Sequence, residues 1–392
     1  MSTAPEAPVS RTLSERLGFP EAVVELGHTH PSVRRVMAGV GGTLTCLVTL
    51  DDDRIEALEI EIGLGHRGFE KEVESRPWHE ALPYVARLGY ASGPIAQVGY
   101  CLALERLTGL GVPERATWLR TLVCELARIT DHLARIAALA TAIGASAAER
   151  AAQHGEVVAM QLLVAAIGGS PLASWAQPGG VASDLPADFG ELWTRSCSEL
   201  EATLDRFAVL LLDHPTAAQR LVGVAPLRPD ACLALGVTGP CLRASGVAFD
   251  LRRDTPYLAY GEVDFDVPIG EKGDDYDRLA VVVEEIRQSL RIGEQCLRRL
   301  AALEWTSGDL ASAGAGSLIV PSGEVTLSIE SSTGEIMFFL ASDGSGLPRR
   351  MRCRTPSFFH AQALPATLEH AHLDDLLPTA ALFHLVSGEC DR

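Results

Sequence analysis

The chain has 392 residues, 47% of them apolar and 21% charged, and a formal charge of −18 at neutral pH. That composition is globular rather than disordered, and the length supplies one large core or two to three ordinary ones at about 100 to 200 residues per domain. An acidic balance of this size excludes the usual basic nucleic-acid surface and offers no polybasic patch for anionic lipid, so any membrane contact is expected to go through a protein partner.

Residues 1–26 read as a flexible N-terminus, Pro- and Ala-rich at its start and without the charged start and long apolar core of a signal peptide. Next comes "HTHPSVRR" at 28–35. Its two histidines would share one face of an extended segment, but two ligands do not close a zinc site. "TLTCLVTL" and "IEALEIEIG" then alternate around "DDDR", the pattern of a β-hairpin with an acidic turn. From Arg115 to Gly144 apolar residues recur at 119, 122, 126, 129, 133, 136, 140 and 143, which predicts one long helix with a continuous buried stripe. A second stripe, Glu125, Arg128, His132 and Arg135, has the same spacing and reads as a solvated polar face.

Two further helices are expected near 152–167 and 187–212, separated by "SPLASWAQPGGVASDLP", a Pro- and Gly-broken loop long enough to be functional. A Gly-, Pro- and Asp-rich stretch over 231–275 precedes another strong helical period. After about residue 315, alternating runs with turns at "SG", "STG" and "DGSG" read as strands. The fold class is thus α+β, mainly helical, with an N-terminal β-hairpin region and C-terminal strands. The longest apolar run, "VVAMQLLVAAIGG", is too short and interrupted to cross a bilayer.

Searches for chemistry narrow the choices. No P-loop, G-x-G-x-x-G after a strand, H-E-x-x-H or G-x-S-x-G is present, so the chain is not expected to bind a nucleotide. Nine cysteines occur without a C-x-x-C, which favours reduced thiols over a metal or cluster framework. His79-Glu80 and the pair His370 and His372 before Asp374 and Asp375 read as surface polar residues, and no metal site is expected.

Longer strings say more. "IGLGHRGFEK" at 62–71, "ALPYVARLGY" at 81–90, "SGVAFDLR" at 245–252, "DFDVPIGEKGDDYDR" at 264–278, "EEIRQSLRI" at 284–292 and the closing "SGECDR" resemble the D-type subunit of the proton-pumping NADH-quinone oxidoreductase, respiratory complex I. They stand in the family's order and spacing, and the resemblance covers residues 27–392, taken as one domain. It implies the fold of nickel-iron hydrogenase large subunits. A hydrogenase itself is disfavoured, because a thiolate-bound nickel centre needs several converging soft ligands and this chain has a single Cys390 at its end.

The resemblance further implies a peripheral-arm subunit that forms a quinone headgroup pocket with the small subunit carrying the terminal iron-sulfur cluster. Tyr90 matches the family's quinone-bonding tyrosine, and its phenol can donate a hydrogen bond or a proton. Arg67 and Arg87 match arginines near the cluster, where fixed positive charge would stabilise the reduced state; a structural salt bridge is the alternative for each. His30 fits the first half of the family's quinone loop.

Departures gather at the same site. Arg34 falls where the family has its quinone-reaching histidine, Ala142 at the aspartate that partners it, Leu172 at a titrating histidine and Gln177 at an arginine before "PGG". An arginine does not release protons near neutral pH, so proton delivery is expected to be altered. Implied partners are the iron-sulfur small subunit, a C-like subunit and an H-like membrane subunit, on the cytoplasmic side of a bacterial inner membrane. Quinone is the implied substrate, no cofactor is bound covalently, and the isolated chain is expected to be inactive. A non-catalytic structural homologue is the alternative.

Overall fold

The computed structural model describes residues 33–38, 44–305 and 318–392, with backbone alone for Val33–Ala38. Strands β1 (Val33–Ala38), β2 (Leu44–Asp51) and β3 (Arg54–Glu61) form an antiparallel sheet in that order. The expected hairpin is β2–β3, with Asp52 at a positive φ of 53° in its turn, a conformation that aspartate tolerates better than most residues. A register shift at Thr49/Leu50 breaks strict alternation, so that Ile55 and Leu58, three apart, are the buried residues of β3.

The helical body comprises α1 (Gly93–Thr108), α2 (Glu114–Ala142), α3 (Ser146–Ile167), α4 (Phe189–Phe207) and α5 (Asp275–Leu300). A π-helical turn, Ala208–Leu212, extends α4. Asp274 caps α5 by accepting from the Asp277 amide, and Arg298 and Arg299 sit in its last turn, both favourable to the helix dipole. Helix α2 packs against α1, α3 and α5. Strands β6 (Gly323–Glu330), β7 (Glu335–Ser342) and β8 (Pro348–Arg354) form a second antiparallel sheet that lies on α1. Gly99 permits this contact, since a Cβ there would fall 2.6 Å from Ile329 Cδ1 and 2.9 Å from Phe338 Cε2.

The loop between α3 and α4 carries a two-residue pairing, β4 (Ala176–Gln177) with β5 (Gly180–Val181). Three helices that the sequence pattern did not announce close the chain: α6 (Pro356–Leu368), α7 (Leu376–Leu382) and α8 (Ser387–Cys390). Two apolar clusters result. The larger fills the space between α1–α5 and β6–β8; the smaller joins β2 and β3 to α6, α7 and Cys390.

One expectation is overturned. The stripe Glu125, Arg128, His132 and Arg135 is fully buried, not solvated. Arg128 donates to the Ser331 and Glu330 carbonyls at 2.7 and 2.8 Å, and Arg135 to the Ser332 carbonyl at 2.9 Å, so α2 satisfies the buried β6–β7 turn. Glu125 takes the Arg252 guanidinium at 3.2 Å and the Tyr260 and Ser289 hydroxyls at 2.5 Å each. His132 lies 2.9 Å from Glu285, which also holds Arg243. Burial pushes the His132 imidazole down to about 3, so the neutral ring donates from Nε2 to Glu285.

Candidate functional site

A cavity of about 430 Å³ opens where three segments meet: Gly65–Phe69 after β3, Tyr84–Tyr90 before α1, and Ser387–Arg392 at the chain's end. The closing segment is held by Asp391, whose carboxylate accepts from the Gly63 and Gly65 amides at 2.5 and 2.6 Å. Gly388 lies against the Arg87 and Leu88 carbonyls; an added Cβ would come within 2.5 and 2.8 Å of them, so only glycine lets this wall close. On the opposite side Tyr90 shortly precedes α1, whose first turn is pre-set by Pro94. Gln97 of α1 donates to the Ala173 carbonyl at 2.8 Å and thereby fixes the loop that brings Leu172 to the cavity.

The lining is basic. Arg67 and Arg87 are exposed to the cavity and pair with no carboxylate among the described residues; Arg87 donates instead to the Pro83 carbonyl at 2.5 Å. Among the described residues, neither arginine makes the structural salt bridge that was the alternative for each. Arg392 adds a third guanidinium, bonded to Thr355 Oγ1 at 2.9 Å and stacked 5.0 Å from the Phe358 ring. Tyr90 is 51% exposed, and its hydroxyl has no hydrogen-bond partner among the described residues. It is an aromatic presented to the cavity, not one buried by packing.

Four residues singled out from the sequence, Arg67, Arg87, Tyr90 and Leu172, thus line one cavity. Two others do not reach it. Ala142 ends α2, and Gln177 lies in β4 with its side chain bonded to the Ser174 carbonyl. The backbone of Arg34 pairs with Val48 of β2, and His30 falls outside the described residues. Sequence reasoning missed Asp391 and Arg392 as wall residues, although the closing "SGECDR" that contains them was conspicuous.

The Pro178-Gly179-Gly180 turn is clamped by a buried ion pair. Arg120 forks onto Glu105 at 2.7 and 3.0 Å and donates to the Gln177 and Gly180 carbonyls, while Glu105 accepts from the Gly179 amide at 2.8 Å. This pair steadies the same loop that carries Leu172.

No group of three or more His, Cys, Asp or Glu side chains among the described residues is placed to hold a metal ion. All nine cysteines are free, and burial raises the thiols of Cys46 and Cys241 to about 12 and 11, which leaves them protonated. Among the described residues no helix is long and apolar enough to cross a membrane.

A mainly helical α+β chain with this arginine-lined cavity matches, over residues 153–392, the family model for the respiratory-chain NADH dehydrogenase 49 Kd subunit. Similar proteins include D-type NADH-quinone oxidoreductase subunits of three bacteria. That numbered 2 in Anaeromyxobacter sp. strain K is 33% identical across 99% of this chain and 95% of that protein. That numbered 2 in Thermodesulfovibrio yellowstonii is 33% identical across 98% and 100%, and that of Granulibacter bethesdensis 35% across 94% and 96%. The chain belongs to the D-type, or 49 Kd, subunit family of respiratory complex I.

Proposed function

We propose that this chain is the quinone-binding subunit of a complex I-like NADH-quinone oxidoreductase, and that the cavity between Arg67, Tyr90 and Arg392 takes the quinone headgroup. The observation that carries the reading is the unpartnered Tyr90 hydroxyl, half-exposed at a cavity flanked by arginines without carboxylate partners among the described residues. A quinone carbonyl is an acceptor that matches a free phenol, and reduction places negative charge on that oxygen, which nearby guanidinium groups favour. The names of the relatives point to the same substrate.

Tyr90 would orient the headgroup and supply one proton. Arg34 in place of the family histidine and Ala142 in place of its aspartate support an altered delivery of the second. Arg67 and Arg87 would face the iron-sulfur small subunit, whose cluster supplies the electrons. Neighbours resembling the family's C-like and H-like subunits would complete the assembly on the cytoplasmic face of a bacterial inner membrane. Because the electrons come from the small subunit, the chain alone should be inactive.

The test is Tyr90→Phe in the assembled complex. Quinone reductase activity should fall by roughly a hundredfold, the usual scale for losing a positioned proton donor. NADH oxidation by ferricyanide, which takes electrons upstream of quinone, should be unchanged. An unaltered quinone rate would favour the reading of a structural homologue without turnover at this cavity.

A further inference from the structure

A quinone that takes two electrons needs two protons, and the cavity wall offers one obvious donor in Tyr90. The three guanidinium groups do not release protons near neutral pH. Asp391 is engaged by the Gly63 and Gly65 amides, one on each carboxylate oxygen, and serves to hold the wall. The next residue inward is different. Glu389 lies on α8, whose Ser387 and Gly388 face the cavity, and its own side chain is fully buried.

The Glu389 carboxylate accepts from Ser357 Oγ at 2.5 Å, from the Ser357 amide at 3.1 Å and from Thr333 Oγ1 at 2.7 Å. No arginine, lysine or histidine pairs with it among the described residues. Hydroxyl partners can turn from donor to acceptor, so this nest accommodates the carboxyl with or without its proton. Burial, with Asp131 adding like charge, pushes Glu389 up to about 7 despite these hydrogen bonds.

Behind Glu389 stand three consecutive hydroxyl residues, Ser331, Ser332 and Thr333, in the β6–β7 turn. Thr333 Oγ1 is 3.5 Å from Ser331 Oγ, and Ser332 Oγ donates to Asp131 at 2.5 Å. His384, with a buried left-handed backbone (φ 53°), sits 3.1 Å from Asp131 and against Arg135. Beyond Asp131, the half-buried Glu156 of α3 is raised by burial and by the Asp131 charge. Arg392 joins the same segment through Thr355, which accepts from its guanidinium and donates to the Glu389 carbonyl at 2.6 Å.

We propose that Glu389 is the second proton source of the cavity, refilled through the Thr333 and Ser331 hydroxyls. The proposal rests on the quinone reading above. Quinone gains two electrons from the partner's cluster, one proton from the Tyr90 hydroxyl and one from the Glu389 carboxyl; the phenolate and carboxylate left behind are reprotonated from water.

The experiment compares Glu389→Gln, Glu389→Asp and Thr333→Val in the assembled complex, reading quinone reductase rate against pH, with the ferricyanide rate as a measure of assembly. In the parent enzyme the rate should fall as pH rises through about 7, because the donor empties. Glu389→Gln should be slower by about tenfold or more at low pH and should lose that limb; Glu389→Asp should restore part of both. Thr333→Val removes a bond that favours the charged form and should move the limb to higher pH. A Glu389→Gln enzyme with the parent rate and limb overturns the proposal. If that variant does not assemble, an unmoved limb in Thr333→Val overturns it. Loss of rate in Tyr90→Phe together with an unchanged Glu389→Gln profile would sink this inference alone, whereas an unchanged rate in Tyr90→Phe would sink the reading of the cavity itself.

Discussion

At the scale of the residue, burial decides what each charge can do. Arg120 and Glu105 are matched, so removing one partner leaves the other buried and unpaired, which typically costs about 3–5 kcal/mol. Glu105→Gln should therefore lower the unfolding free energy of the full chain by that order, seen as a lower denaturant midpoint, and expose the Pro178–Gly180 turn to protease. An unchanged midpoint would show that the pair holds nothing. Glu389 is the converse case, a buried carboxyl without a cation among the described residues. Its value rises from 4.5 toward about 7 on folding, so the native state binds more protons than the unfolded state across that interval. Stability should then be full below about 4.5 and decline as pH rises through 7, by on the order of 3 kcal/mol from this group. Glu389→Gln should flatten that decline, measured as thermal unfolding of the full chain against pH.

At the scale of the element, α2 shows both how far a sequence can be read and where reading stops. Its length and its apolar stripe were legible because steps of three and four put one face inward, and Glu114–Ala142 confirms them. The polar stripe was misjudged because its partners are remote: Glu285 is 153 positions from His132, and Arg252 is 127 from Glu125. Local periodicity is the same whether such a face meets water or distant charges. The terminal helices α6–α8 escaped notice because they are short or, in α6, interrupted by Pro365. Packing of α1 on the second sheet gives a test at this scale. Gly99→Ala would press a methyl into Ile329 and Phe338, both fully buried, and should cost about 1–3 kcal/mol in unfolding free energy. Phe338→Leu in the same chain should recover part of that loss; full additivity of the two would mean that the contact is not the cause.

At the scale of the molecule, the cavity exists because the closing Ser387–Arg392 segment meets two segments that lie between β3 and α1. Asp391 grips the loop after β3, and Gly388 closes against the segment before α1. Arg67, Arg87 and Tyr90 were found through the resemblance of long strings, since no short motif marks them; their convergence with Leu172 and Arg392 is a tertiary fact that sequence spacing does not encode. Whether this cavity takes the quinone headgroup can be read from the covalent footprint of a photoactivatable quinone in the assembled complex. Adducts should fall on peptides containing Arg67–Tyr90 or Ser387–Arg392 and should be suppressed by excess unlabelled quinone. Adducts absent from both segments and concentrated elsewhere, for instance in the groove between α4 and α5 beside Trp193 and Arg291, would contradict it.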